Sequence, residues 1–157
     1  KENLLGEEGK ALNTVSEVID LATLAISAEA VGIMQKMNEL TLDYTKTREQ
    51  FGQALSKFQA LQHRMVDTFM VHEQTKSLLL MAAAKMNDKA ADTSKSISAL
   101  KYQIGSAAKL IGEESIQLHG GMGVTEEMSI GHYFKRLTTI RTIFGNSDYH
   151  LKRYSSL

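Results

Sequence analysis

Apolar residues recur every three or four positions through most of the chain, which is the spacing of one face of an α-helix. In the first long segment the stripe consists of Ile19, Ala22, Ile26, Ala30, Ile33, Met37, Leu40 and Tyr44. In the second it opens with Phe58, Leu61, Met65 and Phe69. The pattern predicts a helix at about 14–44 and a second at about 58–87.

The third segment has the most regular stripe, with an apolar residue every seven positions and smaller ones between. Its members are Ile97, Leu100, Ile104, Ala107, Ile111 and Leu118. A near-heptad stripe of this kind is typical of helices in bundles. The spacing predicts a third long helix that ends at Gly120.

Two shorter helices are predicted after the glycines, at about 125–144 and 147–154. Thr125 is a candidate N-cap for the first, since Glu126 and Glu127 follow it near the positive helix terminus, and Ser147 is a candidate N-cap for the second. No alternating strand pattern is evident, and the 157 residues include no proline. We therefore expect one all-α domain over residues 1–157, an antiparallel up-and-down four-helix bundle with a short extra C-terminal helix.

Charge and composition exclude several classes of function. Lys plus Arg number 18 and Asp plus Glu number 18, and neither sign forms a run, so we expect no nucleic-acid partner. The longest apolar run, LLLMAAA, is too short to span a bilayer, so no membrane insertion is expected. The chain has no cysteine, which leaves no disulfide, thiolate metal site or cysteine nucleophile.

The histidines do not have the spacing of a metal site. No H-E-x-x-H or Glu-x-x-His motif is present, so we expect no metal and interpret most of the five histidines as surface or capping residues. His63 and Asp67 lie one helical turn apart, and we interpret them as a solvated pair.

The charged connection KTREQFGQALSK, residues 46–57, is predicted to be a loop in which Phe51 is an anchored aromatic. Arg48 could then be held rigidly against a phosphate, which a guanidinium grips with two hydrogen bonds. An exposed arginine on an ordinary turn is an equally good interpretation of the spacing.

The stretch IQLHGGMGVTEE contains three glycines in four residues, at 120, 121 and 123. It lacks the Lys-Ser/Thr of a P-loop, and it follows a helix where a dinucleotide fingerprint follows a strand. Spacing alone favours a helix stop and a turn, in which only one glycine has an obvious purpose.

Taken together, the segments GEEGKAL, YTKTREQFGQALSKFQALQHRM and IQLHGGMGVTEE resemble the C-terminal helical domain of the acyl-CoA dehydrogenase family. The resemblance covers nearly the whole chain. It implies a fragment of a longer, oligomeric FAD flavoprotein of fatty acid metabolism, a dimer or tetramer of like or unlike subunits that dehydrogenates an acyl-CoA thioester. It also implies a location in bacterial cytoplasm or mitochondrial matrix.

The resemblance also assigns site residues by position. It implies that FAD is contacted by Arg48, Glu49, Gln50, Phe51, Phe58, Gln59, Gln117, Leu118, His119, Gly120, Gly121, Asn146 and Ser147. Asp20 matches a residue near the CoA chain of the substrate. The second and third glycines would let the backbone approach the FAD of a neighbouring subunit.

The catalytic base of the family is not found at either of its known places. Gly145 stands where the family has its usual Glu, and Ala22 stands at the alternative position on the first helix. Three hypotheses follow: a partner subunit supplies the base, Asp148 replaces it, or the domain is a non-catalytic oligomerisation module. The isolated domain is expected to be inactive in each case.

Overall fold

The computed structural model describes residues 4 and 6–157, and its regular structure is almost entirely helical. The helices are α1 (Leu12–Thr47), α2 (Gln59–Asn87), α3 (Thr93–His119), α4 (Ser129–Ile140) and α5 (Ser147–Ser156). Two short strands, β1 (Glu49–Gln50) and β2 (Gln53–Ala54), form an antiparallel hairpin between α1 and α2. Short 3₁₀ turns occupy Leu55–Lys57 and Gly120–Val124.

The predicted fold class is confirmed: the chain is a four-helix bundle with a short extra C-terminal helix. Helix α3 is its centre and packs against α1, α2, α4 and α5. All six residues of the predicted α3 stripe are buried, among them Ile97, Ile104 and Ile111. Full burial of such a side chain contributes roughly 1.5–3 kcal/mol, so the six residues of this stripe make a large contribution to the stability of the core.

Two glycines of α3 let neighbouring helices approach closely. A Cβ at Gly105 would lie 3.3 Å from the Cβ of Ser147, at the start of α5. A Cβ at Gly112 would lie 2.8 Å from the Phe134 ring of α4. These glycines are therefore required by packing.

The buried face of α1 is displaced by about one residue from the predicted stripe. Ile19 is 42% exposed, whereas Thr23, Ser27 and Thr41 are buried. Each of these three hydroxyls donates to the backbone carbonyl four residues earlier, at 2.7 Å. Because the helix satisfies its own polar side chains in this way, they can be buried at little cost.

Helix α2 departs from the prediction in the same manner. Phe69, predicted to lie on its apolar stripe, is 58% exposed, and the buried residues of α2 are Thr68, His72, Thr75 and Ala82. Thr75 donates to the carbonyl of Val71 at 2.7 Å, so here too a back-bonded hydroxyl occupies the interior.

The predicted start of α4 and the cap of α5 are wrong. Helix α4 begins at Ser129, and the Thr125 hydroxyl donates to the Met122 carbonyl at 2.9 Å, so it closes the preceding turn. Helix α4 also ends earlier than predicted, at Ile140. The N-cap of α5 is Asn146, whose Oδ1 accepts from the Tyr149 amide at 2.9 Å.

The hairpin between α1 and α2 overturns the predicted anchoring of Phe51. Phe51 and Gly52 both have positive φ, as a two-residue type I′ turn requires, and the Phe51 side chain is 91% exposed. The rings of Phe51 and Phe58 are nearly perpendicular, with centroids 6.2 Å apart. The aromatic stands at the tip of the hairpin because the turn directs it outward.

Within residues 4 and 6–157, no helix has the length and apolarity needed to cross a membrane. In the same part of the chain, no group of three or more His, Asp or Glu residues is arranged to hold a metal ion.

Candidate functional site

An open cavity of about 490 Å³ lies where the end of α1, the hairpin and the end of α3 meet. It is lined by Tyr44, Arg48, Gln50, Leu55, Leu61, Arg64, Gln117, Leu118, His119, Gly120, Gly121 and Met122. The two sequence stretches singled out above, some 70 residues apart along the chain, thus line one cavity. The helical hairpin topology brings them together, because α1 and α3 end at the same side of the bundle.

Arg48 is fixed through its backbone. It is the C-cap of α1 and donates its N–H to the Tyr44 carbonyl at 2.8 Å, while its own carbonyl accepts from the Leu55 amide at 2.8 Å. The side chain is exposed. A cation on a clamped backbone at the edge of a cavity can contact an anionic group of a ligand.

His119 connects the glycine turn to α1. It is buried, stacks on Tyr44 with ring centroids 4.4 Å apart, and its backbone carbonyl accepts from the Tyr44 hydroxyl at 3.3 Å. Its Nδ1 lies 2.8 Å from the Ser115 carbonyl. Burial lowers the pKa of His119, so the ring is neutral at pH 7 and donates from Nδ1. The expectation that most of the five histidines lie on the surface or in caps is wrong, since His72, His119 and His150 are all buried.

Two of the three glycines in the turn after α3 are required by the structure, and one is not. Gly120 ends α3 with φ 60° and ψ −140°, a conformation that essentially only glycine adopts. A Cβ at Gly123 would lie 2.8 Å from the Ile116 carbonyl, so packing requires glycine there. At Gly121 no atom lies within 4 Å of the Cβ position, and φ is not in the left-handed region. Nothing within the described chain requires glycine at 121.

Tyr44 and Arg64 belong to the cavity lining but were not predicted. Arg64 forms an ion pair with Glu114, with Nε and Oε2 2.5 Å apart. The sequence signal for Tyr44 is its position one helical turn before Arg48. Arg64 has no such signal, because its pairing joins two helices across 50 residues.

The remaining predicted cofactor residues lie outside this lining. Glu49, Phe51, Phe58 and Gln59 belong to the hairpin and the start of α2. Asn146 and Ser147 line a second cavity of about 410 Å³, which also contains Arg141 and Asp148. Asp148 is exposed in the first turn of α5, where a carboxylate is favourable to the helix dipole.

The turn that contains Gly145 has no space for a side chain at that residue. Gly145 has φ +106°, and a Cβ built there would lie 3.0 Å from Cε1 of Tyr149, and closer still to Cδ1, and 3.1 Å from Nε2 of His150. Because of both the conformation and the neighbours, a carboxylate side chain does not fit at position 145 in this backbone.

Asp20 has its polar contacts within the chain. Its Oδ1 and Oδ2 accept from Arg153 of α5 at 2.6 and 2.9 Å, and Oδ2 also accepts from the Ser94 hydroxyl at 2.6 Å. The carboxylate is buried, so it ties α5 and α3 to α1. The predicted substrate contact stays a prediction, and the structure gives Asp20 a structural ion pair.

The class of protein follows from a family match that includes the helical bundle and its glycine turn. Residues 10–155 match the family model "Acyl-CoA dehydrogenase, C-terminal domain", and the chain belongs to this family.

Individual relatives and solved structures are similar over nearly the whole chain. The mitochondrial short-chain specific acyl-CoA dehydrogenase of Rattus norvegicus is 32% identical over 142 residues, which are 89% of this chain and 34% of the relative. The caffeyl-CoA reductase-Etf complex subunit CarC of Acetobacterium woodii is 28% identical over 148 residues, 94% of this chain and 39% of that subunit. The butyryl-CoA dehydrogenase of Megasphaera elsdenii superposes with a TM-score of 0.93 at 27% identity, covering 99% of this chain and 40% of that one. The chain therefore spans between a third and two-fifths of the length of these proteins.

Proposed function

We propose that the chain is the C-terminal domain of an FAD-dependent enzyme that dehydrogenates acyl-CoA thioesters, and that the 490 Å³ cavity binds the phosphate and adenosine part of FAD. The observation that carries this proposal is Gly121. Neither packing nor backbone conformation requires glycine there, and unlike Gly32, which is also open, it lines this cavity together with Arg48, so we attribute the absence of a side chain to a ligand outside the described chain. A dinucleotide approached closely by backbone is the ligand that family membership favours.

The chemistry of the lining supports a dinucleotide. Arg48 supplies a cation for a phosphate, Gln50 and Gln117 supply amides, and Gly121 leaves backbone accessible. Leu55 and Leu61 add an apolar surface of the kind that an adenine ring contacts. When bound, the flavin would accept the hydride that leaves the Cβ of the acyl thioester.

The cavity is open to solvent, and the exposed Phe51 stands beside it at the hairpin tip. Both features support a site completed by a second subunit, in which the cofactor is shared across the interface. CarC, which is similar over 94% of this chain, is by its name a subunit of a complex. We propose a homo- or hetero-oligomer on these grounds.

For the proton abstraction, we propose that a partner subunit supplies the carboxylate. The turn at Gly145 has no space for a carboxylate side chain. This supports a base supplied by the partner subunit over a base that this chain has lost and that Gly145→Glu would restore. Asp148 is the alternative base, because it lines the second cavity with Asn146 and Ser147. Its exposed place at an α5 N-terminus already has a structural explanation.

The experiment that tests FAD binding uses the full-length protein with Gly121→Leu and, as a matched control, Gly32→Leu. Gly32 is also exposed and also has no atom within 4 Å of its Cβ position, so both leucines fit within the chain itself. We expect Gly121→Leu to weaken flavin binding on the order of 10-fold or more, as loss of a buried contact does, with Gly32→Leu unchanged. Full flavin content in Gly121→Leu would contradict the proposed site.

A second measurement separates the hypotheses about the base. Anaerobic bleaching of the flavin by a panel of acyl-CoA thioesters is followed for the protein alone, for Asp148→Asn, and for the protein with an acyl-CoA dehydrogenase-like partner chain. Bleaching only with the partner supports the shared site. Bleaching by the protein alone that is lost in Asp148→Asn would assign the base to Asp148. Protein without any flavin, alone or with the partner, would favour the non-catalytic oligomerisation module.

A further inference from the structure

Helix α3 carries a lysine in the interior of the bundle. Lys101 is 1% exposed, and its Nζ donates to the backbone carbonyls of Gly145 at 2.9 Å, Ile140 at 3.0 Å and Arg141 at 3.4 Å. The three donors of one ammonium thus meet three acceptors from a single turn. Fully buried lysines are rare in proteins, and this one has no role in the site described so far.

The three acceptors are groups that would otherwise lack partners. Helix α4 ends at Ile140, and the last carbonyls of a helix have no donor within it. The chain then reverses through Gly145 into α5. A cation at this place satisfies the free carbonyls and is also favourable to the negative end of the α4 dipole.

Burial of the Lys101 ammonium costs free energy of folding, which indicates that the residue does more than fill the interior. The partners of Lys101 are all uncharged carbonyls, and burial lowers its pKa to about 8. A buried apolar side chain would avoid this cost if the only requirement were to fill the interior. One further donor acts on the same turn, since His150 Nε2 lies 3.0 Å from the Phe144 carbonyl.

We propose that Lys101 is a positioning residue, which fixes the backbone of the 141–147 turn from inside the bundle and thereby sets the direction of Asn146 and Ser147. The turn begins with carbonyls bound to the ammonium and ends at the N-cap of α5, so its course between these points is defined by Lys101. For the contact of Asn146 and Ser147 with flavin, this inference rests on the proposed function. The positioning of the turn itself does not.

The test compares Lys101→Met with Lys109→Met in the full-length protein by hydrogen exchange. Lys109 is exposed on the same helix, so its variant controls for loss of one positive charge. The amides of Arg141 and Thr142 donate to carbonyls at the end of α4, and that of Gly145 donates to the Thr142 carbonyl, so all three report on how the turn is held. We expect Lys101→Met to accelerate their exchange about 10- to 100-fold, the effect of losing hydrogen bonds to a charged donor, with the α1 and α2 amides unchanged.

Two results would overturn the proposal: unchanged exchange in the turn, or an equal acceleration in every helix, which would make Lys101 only a part of the core. A measurement on the unmodified protein covers the case in which Lys101→Met does not fold. There we expect the Lys101 ammonium to be observed by NMR in slow exchange with water, with hydrogen-bond couplings from Nζ to the carbonyls of Ile140 and Gly145. A rapidly exchanging ammonium without these couplings would also overturn it.

Flavin content, measured on the same samples, separates this inference from the proposed function. If the protein binds FAD, Lys101→Met should also change the visible circular dichroism of the flavin, while Lys109→Met should not. An unchanged flavin spectrum together with an altered turn would overturn the part of the inference that concerns Asn146 and Ser147. If no FAD is bound, the proposed function fails, and the exchange rates still decide the role of Lys101.

Discussion

The two glycine turns of the bundle differ in what their glycines face. The turn that follows α3 has Gly121 open to a cavity, beside the exposed Arg48. In the turn between α4 and α5, the space around Gly145 is filled by Tyr149 and His150, and its carbonyl is bound by Lys101.

Under the proposed function, this difference separates a turn that is open to a ligand from one whose conformation its own chain explains. An open glycine with no internal contact leaves room for something external, whereas a crowded glycine is explained by the fold. The proposed function assigns a role to residues of both turns. Their environments differ, since Gly121 is accessible in the first turn, whereas in the second Gly145 is enclosed and the cavity is lined by Asn146 and Ser147.

The largest expected effect is at Gly145. Gly145→Glu would place a side chain against the Tyr149 ring with φ +106°, so we expect a loss of about 3 kcal/mol or more in the free energy of unfolding. Urea denaturation measures it. The same variant should gain no acyl-CoA-dependent bleaching of flavin.

A double variant separates the clash with Tyr149 from the other causes at this position. In a Tyr149→Ala background, Gly145→Ala no longer meets the Tyr149 ring. Relative to Tyr149→Ala alone, we expect a loss of about 1–3 kcal/mol from backbone strain and the tight 3.1 Å contact with Nε2 of His150. A Gly145→Glu protein as stable as the unmodified one would show that the turn at Gly145 is as open as the turn at Gly121.

The next effect contrasts two glycines of the first turn. Gly123→Ala would press on the Ile116 carbonyl, and we expect it to cost about 1–3 kcal/mol, whereas Gly121→Ala should stay within about 0.5 kcal/mol. Thermal unfolding of both variants under the same conditions gives the two losses of stability. Equal losses would mean that position 121 is also needed for packing.

Each turn also has a buried histidine whose pKa is lowered, chiefly by burial: His119 in the first and His150 in the second. Because the unfolded chain binds protons on these residues at a higher pH than the folded chain does, stability falls as pH drops below about 6.5. The slope is at most roughly 1.4 kcal/mol per pH unit for each histidine.

Urea denaturation between pH 7 and pH 5 measures this loss. It should become smaller in His119→Gln and in His150→Gln and should be unaffected in His132→Gln, whose ring is exposed. A pH dependence that neither of the first two substitutions reduces would show that other groups cause it.

How far the sequence predicts these features depends on whether a residue follows the usual rule for its type. The α3 stripe is made of apolar residues that are buried, so periodicity identified it correctly. The buried face of α1 was misplaced because Thr23 and Ser27 satisfy their own hydroxyls within the helix. Lys101 is the extreme case, since no pattern marks a lysine that is buried to bind carbonyls.

Several residues that line the candidate site were predicted from the sequence, but the backbone conformation around them was not. Resemblance gave Arg48 and the 117–121 stretch, and the structure brings them into one cavity. It did not give the conformation of Gly145, because φ depends on where α4 ends and how α5 packs on α3. For Phe51, a rule that aromatic residues are buried was outweighed by the geometry of a two-residue turn.

The smallest expected effect concerns Phe51, at the tip of the hairpin beside the open cavity. Its φ of 54° is unfavourable for a bulky residue, whereas Asn-Gly is the preferred pair for a type I′ turn. Phe51→Asn should therefore raise the free energy of unfolding by about 0.5 kcal/mol, since the lost ring is almost entirely exposed. Urea denaturation gives the sign of this change in stability, and Phe51→Ser controls for removal of the ring alone.

The Phe51→Asn protein also tests whether the ring has a partner outside the chain. If this more stable protein binds flavin less well or dissociates into smaller oligomers, the strained Phe51 is retained for a contact outside the chain, as the open cavity beside Gly121 suggests. Destabilisation in both variants would show instead that the ring contributes to this fold.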